Sequence, residues 1–200
     1  MASEEPDAER ATDEIGALVS RAASGDEHAW RGIIDLYGRR VFAMARSRVK
    51  NDDLAEEITQ SVFATIATKL CRDGYDERGR FEPWLFRITM NRVRDEFRRA
   101  RTRAAATDPG VLNDIRAAPD GRDDEDPRGA DALRTALGQL SEPDREIIEL
   151  RHHGQMSFKQ ISAVLGQPVG TLLARHHRAL KKLRSMLEAE RDDETGERSP

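Results

Sequence analysis

The chain has 200 residues, 38% hydrophobic and 35% charged, with two Trp, two Tyr and six Phe. An average globular chain is roughly 45–50% apolar, so the composition excludes one large core and suits small helical bundles joined by solvated segments. No window approaches the ~20 consecutive apolar residues of a membrane span, the acidic N-terminus lacks the apolar stretch of a secretory signal, and the lone Cys71 excludes an internal disulfide and a cysteine-rich zinc site. A cytoplasmic protein without membrane insertion is expected.

Residues 1–24 begin the chain as an acidic segment, expected to be partly disordered: Glu4, Glu5, Asp7, Glu9, Asp13 and Glu14 face only Arg10 over the first fourteen positions. Trp30, Ile33, Ile34, Tyr37, Val41, Met44 and Ala45 then step by threes and fours, which predicts a helix from about Asp26 to Val49. Asn51-Asp52-Asp53 offers capping oxygens to a second helix, with Ala55, Ile58, Val62, Ile66 and Leu70 as its apolar face and Phe63 alongside. Its polar face, Asp53, Glu56, Glu57 and Gln60, reads by itself as solvated surface. Cys71–Arg80 contains Gly74 and Gly79 and reads as a loop.

A third helical stretch follows Pro83, with Leu85, Phe86, Ile88, Met90, Val93 and Phe97 as its apolar positions. Residues 87–103 hold seven arginines (Arg87, Arg92, Arg94, Arg98, Arg99, Arg101, Arg103) against Asp95 and Glu96. Phe81, Trp84 and Phe86 stand just ahead of that basic run. Rings beside cations are what single-stranded nucleic acid requires, since bases stack on the rings while cations follow the backbone. The same rings at helical spacing also suit a core, and the sequence leaves both readings open.

Charge reverses over 104–128, where Asp108, Asp114, Asp120, Asp123, Asp124, Glu125 and Asp126 occur among Pro109, Pro119, Pro127, Gly110 and Gly121, with no aromatic. Such a segment buries too little apolar area to offset its ordering entropy and reads as a flexible acidic linker. It separates a module over 25–103 from a second over 129–187, followed by an acidic tail over 188–200. Helices are expected in the second module at about 130–139, 143–153, 157–165 and 169–187. Ser157-Phe158-Lys159-Gln160 has the form of a capping box, and Gly166 suits a left-handed helix end. The last helix has Leu172, His176, Ala179, Leu180, Leu183, Met186 and Leu187 as its apolar stripe and Thr171, Arg175, Arg178 and Lys182 on the other side. A short helix, a tight turn and a long basic helix form the helix-turn-helix that enters the DNA major groove; an ordinary three-helix bundle with a basic surface is the plainer alternative. The fold class is all-α: two small helical domains joined by a flexible linker, the second a helix-turn-helix.

His152-His153 and His176-His177 have no Cys or carboxylate at ligand spacing, so no metal is expected. His176 is expected to be half-buried and His177 to face solvent. No Gly-rich phosphate loop, HExxH or nucleophile beside a His occurs, so neither an enzyme nor a cofactor is expected.

The order of these elements resembles a bacterial extracytoplasmic-function (ECF) sigma factor of RNA polymerase. The resemblance lies in Ala55-Glu56-Glu57-Ile58-Thr59-Gln60-Ser61-Val62-Phe63, in 81–99, and in Leu140–Leu183, where Leu140-Ser141-Glu142-Pro143-Asp144-Arg145-Glu146 and Pro168-Val169-Gly170-Thr171 carry it most clearly. It implies that Asp53, Glu56, Glu57, Gln60 and Phe63 bind core polymerase at the clamp coiled coil of its largest subunit, with the flap as a further contact. It implies that Phe81, Trp84, Arg87, Asn91, Arg92, Asp95, Arg98 and Arg99 recognise and melt the minus-ten element. Thr171, Leu173, Arg175, His177, Arg178, Lys181 and Lys182 would then meet the minus-thirty-five element, and an anti-sigma protein is an implied partner beside promoter DNA. Ser61 stands where the family usually has Glu, Leu172-Leu173-Ala174 replaces an apolar-Lys-Ser run, and His176 takes an aliphatic position. The competing reading is a stand-alone helix-turn-helix activator, against which residues 25–103 show no strand–helix alternation of a receiver domain.

Overall fold

A computed structural model describes residues 5–49, 51–73, 81–107 and 127–196; the described residues form eight α-helices and contain no strand. They belong to two compact units, Met1–Ala118 and Pro119–Pro200. The linker expected over 104–128 lies outside the described residues at 108–126; its two ends are helical, in the last turn of one helix and the first of the next.

In the first unit, α1 (Glu5–Ala23), α2 (Glu27–Val49), α3 (Asp52–Asp73) and α4 (Phe81–Thr107) pack together, with α2 touching the other three. Helix α1 occupies Glu5–Ala23 of the segment expected to be acidic and partly disordered, whose residues 1–4 lie outside the described residues. Val19 and Ala22 are fully buried, and Leu18 lies over Gly32 of α2, where a Cβ would come within 3.3 Å of its Cδ1. Burial of this apolar edge is what holds the segment helical despite its acids. The α1–α2 corner is local chemistry. Gly25 takes φ +92°, which glycine adopts without a Cβ clash, and Asp26 Oδ1 accepts the backbone N–H of His28 at 2.9 Å and of Ala29 at 3.1 Å.

Asn51 Oδ1 caps α3 by accepting from Leu54 N at 2.8 Å. Helix α4 starts at Phe81, three residues earlier than the start expected after Pro83, because Pro83 falls in its first turn, where a missing N–H leaves no bond unmade. Ile33, Tyr37, Val41 and Met44 of α2 meet Ile58, Val62, Ile66 and Leu70 of α3 and Leu85, Phe86, Met90 and Val93 of α4 in one buried core. Ile34, expected inside, is 47% exposed: it sits on the flank of the α2 stripe and the bundle does not reach it. Arg40 ties α2 to α4, its Nη1 donating to Glu82 Oε1 at 2.7 Å while the guanidinium covers the rings of Tyr37 and Phe86 at 5.1 and 5.0 Å.

The second unit comprises α5 (Pro127–Gly138), α6 (Glu142–His152), α7 (Phe158–Leu165) and α8 (Val169–Gly196), the first three all packing on α8. The capping box forms as expected: Ser157 Oγ accepts from Gln160 N at 3.2 Å and Ser157 N donates to Gln160 Oε1 at 2.8 Å. Gly166 ends α7 at φ +67°. Ala136, Leu140, Ile148, Ala179 and Leu183 form one buried cluster, with Leu137, Met186 and Leu187 packed against it. Leu180 departs from its expected place in the stripe and is 40% exposed, and α8 continues past Leu187 into the acidic tail as far as Gly196.

Candidate nucleic-acid interface

Helix α4 sorts its arginines by angle. Trp84, Arg87, Asn91, Arg94 and Arg98 recur at steps of three and four, so all five share the face turned away from the core. Arg87, Asn91, Arg94 and Arg98 are exposed and Trp84 is half-buried. Asn91 Oδ1 accepts from Arg94 Nη1 at 3.3 Å, and half-buried Asp95 pairs with Arg98. The result is a row of guanidiniums with an indole at its N-terminal end. Arg94 was not among the residues singled out from the sequence, although the 84-87-91-94-98 spacing selects it.

Three other expected members leave this face. Phe81 is only 1% exposed, set edge-on to Tyr37 at 5.4 Å between ring centres, and is a core ring with no surface for a base. Half-buried Arg92 turns toward α3 and donates to Thr65 Oγ1 at 3.0 Å. Arg99 pairs with Glu96 at 3.4 Å beside the row. The start of α4 explains the exchange: Phe81 and Trp84 are one helical turn apart with ring centres 6.1 Å apart, and only the first points into the bundle.

On α3, Asp53, Glu56, Glu57 and Gln60 are all exposed on one face, with Gln60 Nε2 3.4 Å from Glu56 Oε1, and Phe63 is half-buried beside them. This face carries acids and an amide without a cation, the opposite sign from the α4 row.

Helix α8 presents Thr171, Leu173, Ala174, His177, Arg178, Lys181, Lys182 and Arg184 to solvent. Arg175 is placed differently from its neighbours on this helix. It is half-buried and committed inside the unit: its Nε lies 3.2 Å from Asp144 Oδ1 at the start of α6, and its Nη1 lies 3.3 Å from Gln167 Oε1 in the turn. Lys182 Nζ reaches the carbonyl of Gln139, just beyond the end of α5, at 3.3 Å, where the helix dipole favours a cation. Behind the exposed face, His176 is clamped between two elements. The His152 ring from α6 stacks on it at 5.7 Å, and the Phe158 ring from α7 meets it edge-on at 5.2 Å, while the Arg151 guanidinium covers Phe158 at 5.5 Å. Burial, then the neighbouring His152, Arg151 and His177, hold the His176 imidazole below its ordinary range. Burial, then His152 and Arg145, do the same to His153. Among the described residues no group of three or more His, Cys, Asp or Glu side chains is placed to hold a metal ion.

Comparison with known proteins accounts for both units. Residues 33–103 match the family described as Sigma-70 region 2, and residues 130–183 match Sigma-70, region 4. The RNA polymerase sigma factor CarQ of Myxococcus xanthus is 32% identical over 170 residues, covering 84% of this chain and 95% of CarQ. CnrH of Cupriavidus metallidurans is 31% identical (86% and 94% covered), and the ECF sigma factor SigW of Bacillus subtilis is 28% identical (86% and 96% covered). Among solved structures, CnrH in complex with the cytosolic domain of CnrY superposes with a TM-score of 0.64 at 26% identity, covering 86% of this chain and 96% of that one. The chain belongs to the ECF sigma factors of RNA polymerase, as the resemblance implied. It is an RNA polymerase sigma factor, and the stand-alone activator is not favoured. No helix among the described residues is long and apolar enough to cross a membrane.

Proposed function

We propose that this sigma factor divides its work among the three faces described. The α3 face of Asp53, Glu56, Glu57 and Gln60, with Phe63 beside it, docks on the clamp coiled coil of core polymerase. The α4 row of Trp84, Arg87, Asn91, Arg94 and Arg98 receives the minus-ten strand as it melts: the exposed part of the indole stacks a base and the guanidiniums follow the backbone. A base stacked on an aromatic gains about 1–3 kcal/mol, comparable to the few kcal/mol needed to take a base out of the duplex. Helix α8 lies in the major groove of the minus-thirty-five element, with Arg178 directed at base edges and Lys181, Lys182 and Arg184 at phosphates.

The observation that carries this reading is the placement of a basic helix face in each of two separate compact units. A tight, specific DNA interface buries on the order of 1,000–2,500 Å² of protein surface, and here the basic faces are divided between two units. Two weak readers on one chain gain specificity when a scaffold fixes their separation, because the second contact becomes intramolecular. Core polymerase is that scaffold, and residues 104–128 supply the connection. The protein acts in the cytoplasm as an initiation subunit without catalytic chemistry of its own. A protein partner of the anti-sigma type fits the family as well, since the solved sigma factor RpoE from Bartonella quintana is in complex with the anti-sigma factor NepR. Run-off transcription on a promoter library tests the reading: bare core polymerase is expected to initiate specifically once this chain is added. Glu57→Lys is expected to lower that activity through lost core binding, measured as retention of the chain on immobilised core.

A further inference from the structure

We infer that Leu173 is a specificity-determining residue that reads the 5-methyl group of a thymine in the minus-thirty-five element; the inference rests on the proposed docking of α8 in the major groove.

The N-terminal turns of a recognition helix are the part that reaches base edges. Over the first three turns of α8 the exposed positions are Val169, Gly170, Thr171, Leu173, Ala174, His177 and Arg178. None is an amide able to pair with adenine N6 and N7, and none is a carboxylate able to accept from cytosine N4. Of the usual direct pairings, an apolar group against the thymine methyl and an arginine against guanine remain, beside a Thr171 hydroxyl bond that does not discriminate between bases. Arg175 is withdrawn from the second by its bonds to Asp144 and Gln167, which leaves Arg178 for guanine.

The first pairing has a candidate in plain view. Leu173 is 47% exposed, with Val169 four residues before it at 39% on the same side of the helix. Its surroundings favour DNA as the occupant of this edge: residues 171–187 contain no acid, and exposed Arg178, Lys181 and Arg184 give the helix the sign that complements a phosphate backbone. Thymine alone among the bases offers a methyl group in that groove.

The test uses holoenzyme reconstituted from the full chain and core polymerase. Selection from promoters randomised over the minus-thirty-five element is expected to enrich thymine at one or more fixed positions. Replacing those thymines singly by uracil removes only the methyl, and about four-fold weaker binding is expected at the contacted position, the equivalent of one buried methyl group. In Leu173→Ala holoenzyme the thymine and uracil promoters are expected to bind equally at that position, with helicity unchanged because the side chain is exposed. Binding indifferent to uracil, or Leu173→Ala that still distinguishes the two, would overturn the inference and leave the apolar edge to a protein partner. The two failures are separable: Arg178→Ala that weakens promoter binding beside an indifferent Leu173 keeps α8 as the reader and removes only the methyl contact, whereas indifference to both removes the docking itself.

Discussion

The two basic helices use arginine in opposite ways. On α4 the cations of one row stand in solvent beside a tryptophan, and the bundle is braced elsewhere, by Arg40 and Glu82 beneath the Tyr37 and Phe86 rings. On α8 the helix that carries the proposed DNA-facing residues also carries the brace: Arg175 binds Asp144 and Gln167, and Lys182 reaches Gln139. A face of repeated guanidiniums and an indole tolerates many base sequences, since every base has a π-face and every nucleotide a phosphate. A face locked in angle by its own unit, with apolar and cationic positions at different angles, suits discrimination between base pairs. The difference suits the first unit to the proposed melting and the second to the proposed duplex reading.

The comparison breaks most visibly at the start of α4. Phe81→Ala removes a fully packed core ring and is expected to destabilise the first unit by about 3–5 kcal/mol, seen as an earlier denaturant transition followed by Trp30 and Trp84 emission. Trp84→Ala, one turn on, is expected to leave most of that stability. It should weaken the melted complex by about 1–3 kcal/mol, measured as lost 2-aminopurine fluorescence within the minus-ten strand. An equal loss of stability from both variants would mean that Trp84 is core as well. Arg94→Ala is the intermediate case: promoter affinity should fall across sequences, with the salt slope reduced by roughly 0.7–0.9 for the lost phosphate contact.

What the sequence made legible follows the range of the interactions. The α7 capping box, the left-handed Gly166, the Asn51 cap and the apolar stripes of α3 and α4 are all settled within a few residues, and all stand where the pattern puts them. Helix α1 was hidden because its acids dominate the composition while its stability comes from contact with α2, a long-range term. Phe81 and Trp84 are equivalent in a one-dimensional pattern, and only the docking angle of α4 separates them. Arg175 looked like Arg178 for the same reason: its partner Asp144 is 31 positions away, and no local spacing reveals that pair. Leu180 and Ile34 sit on the flanks of broad apolar stripes, where the width of the neighbouring helix decides burial.

The brace on α8 gives a smaller effect that sharpens the contrast. Arg175→Ala is expected to lower the stability of the second unit by about 1 kcal/mol and to weaken DNA binding by loosening the helix. Asp144→Asn should therefore reproduce part of the defect without touching DNA. A phosphate-contacting Arg175 would instead leave Asp144→Asn with full binding, measured by titration of a minus-thirty-five duplex at low salt.

The least perturbing probe is the proton. In the folded second unit, burial and neighbouring cations hold His153 and His176 below the ordinary histidine range, and on unfolding both return to about 6.5. The unfolded chain therefore binds more protons below that value, so the stability of this unit is fully present above about pH 6.5 and declines as the pH falls toward the folded-state values. Among the described residues of the first unit the shifted group is Asp26, lowered chiefly by the Arg21 hydrogen bond and then by the Ala29 N–H. Its contribution is present above the ordinary carboxylate range and is lost only as the pH falls through and below about 4. Mild acid thus separates the units, and the tryptophans make the separation visible, because both Trp30 and Trp84 lie in the first unit and residues 119–200 contain none. Between about pH 6.5 and 5, the denaturant midpoint read by ellipticity should fall while the transition read by tryptophan emission holds. His176→Leu should reduce that fall, since it removes one of the two titrating rings from the stack with His152 and puts an aliphatic group against Phe158. An unchanged slope in that variant would place the acid response on His153 alone.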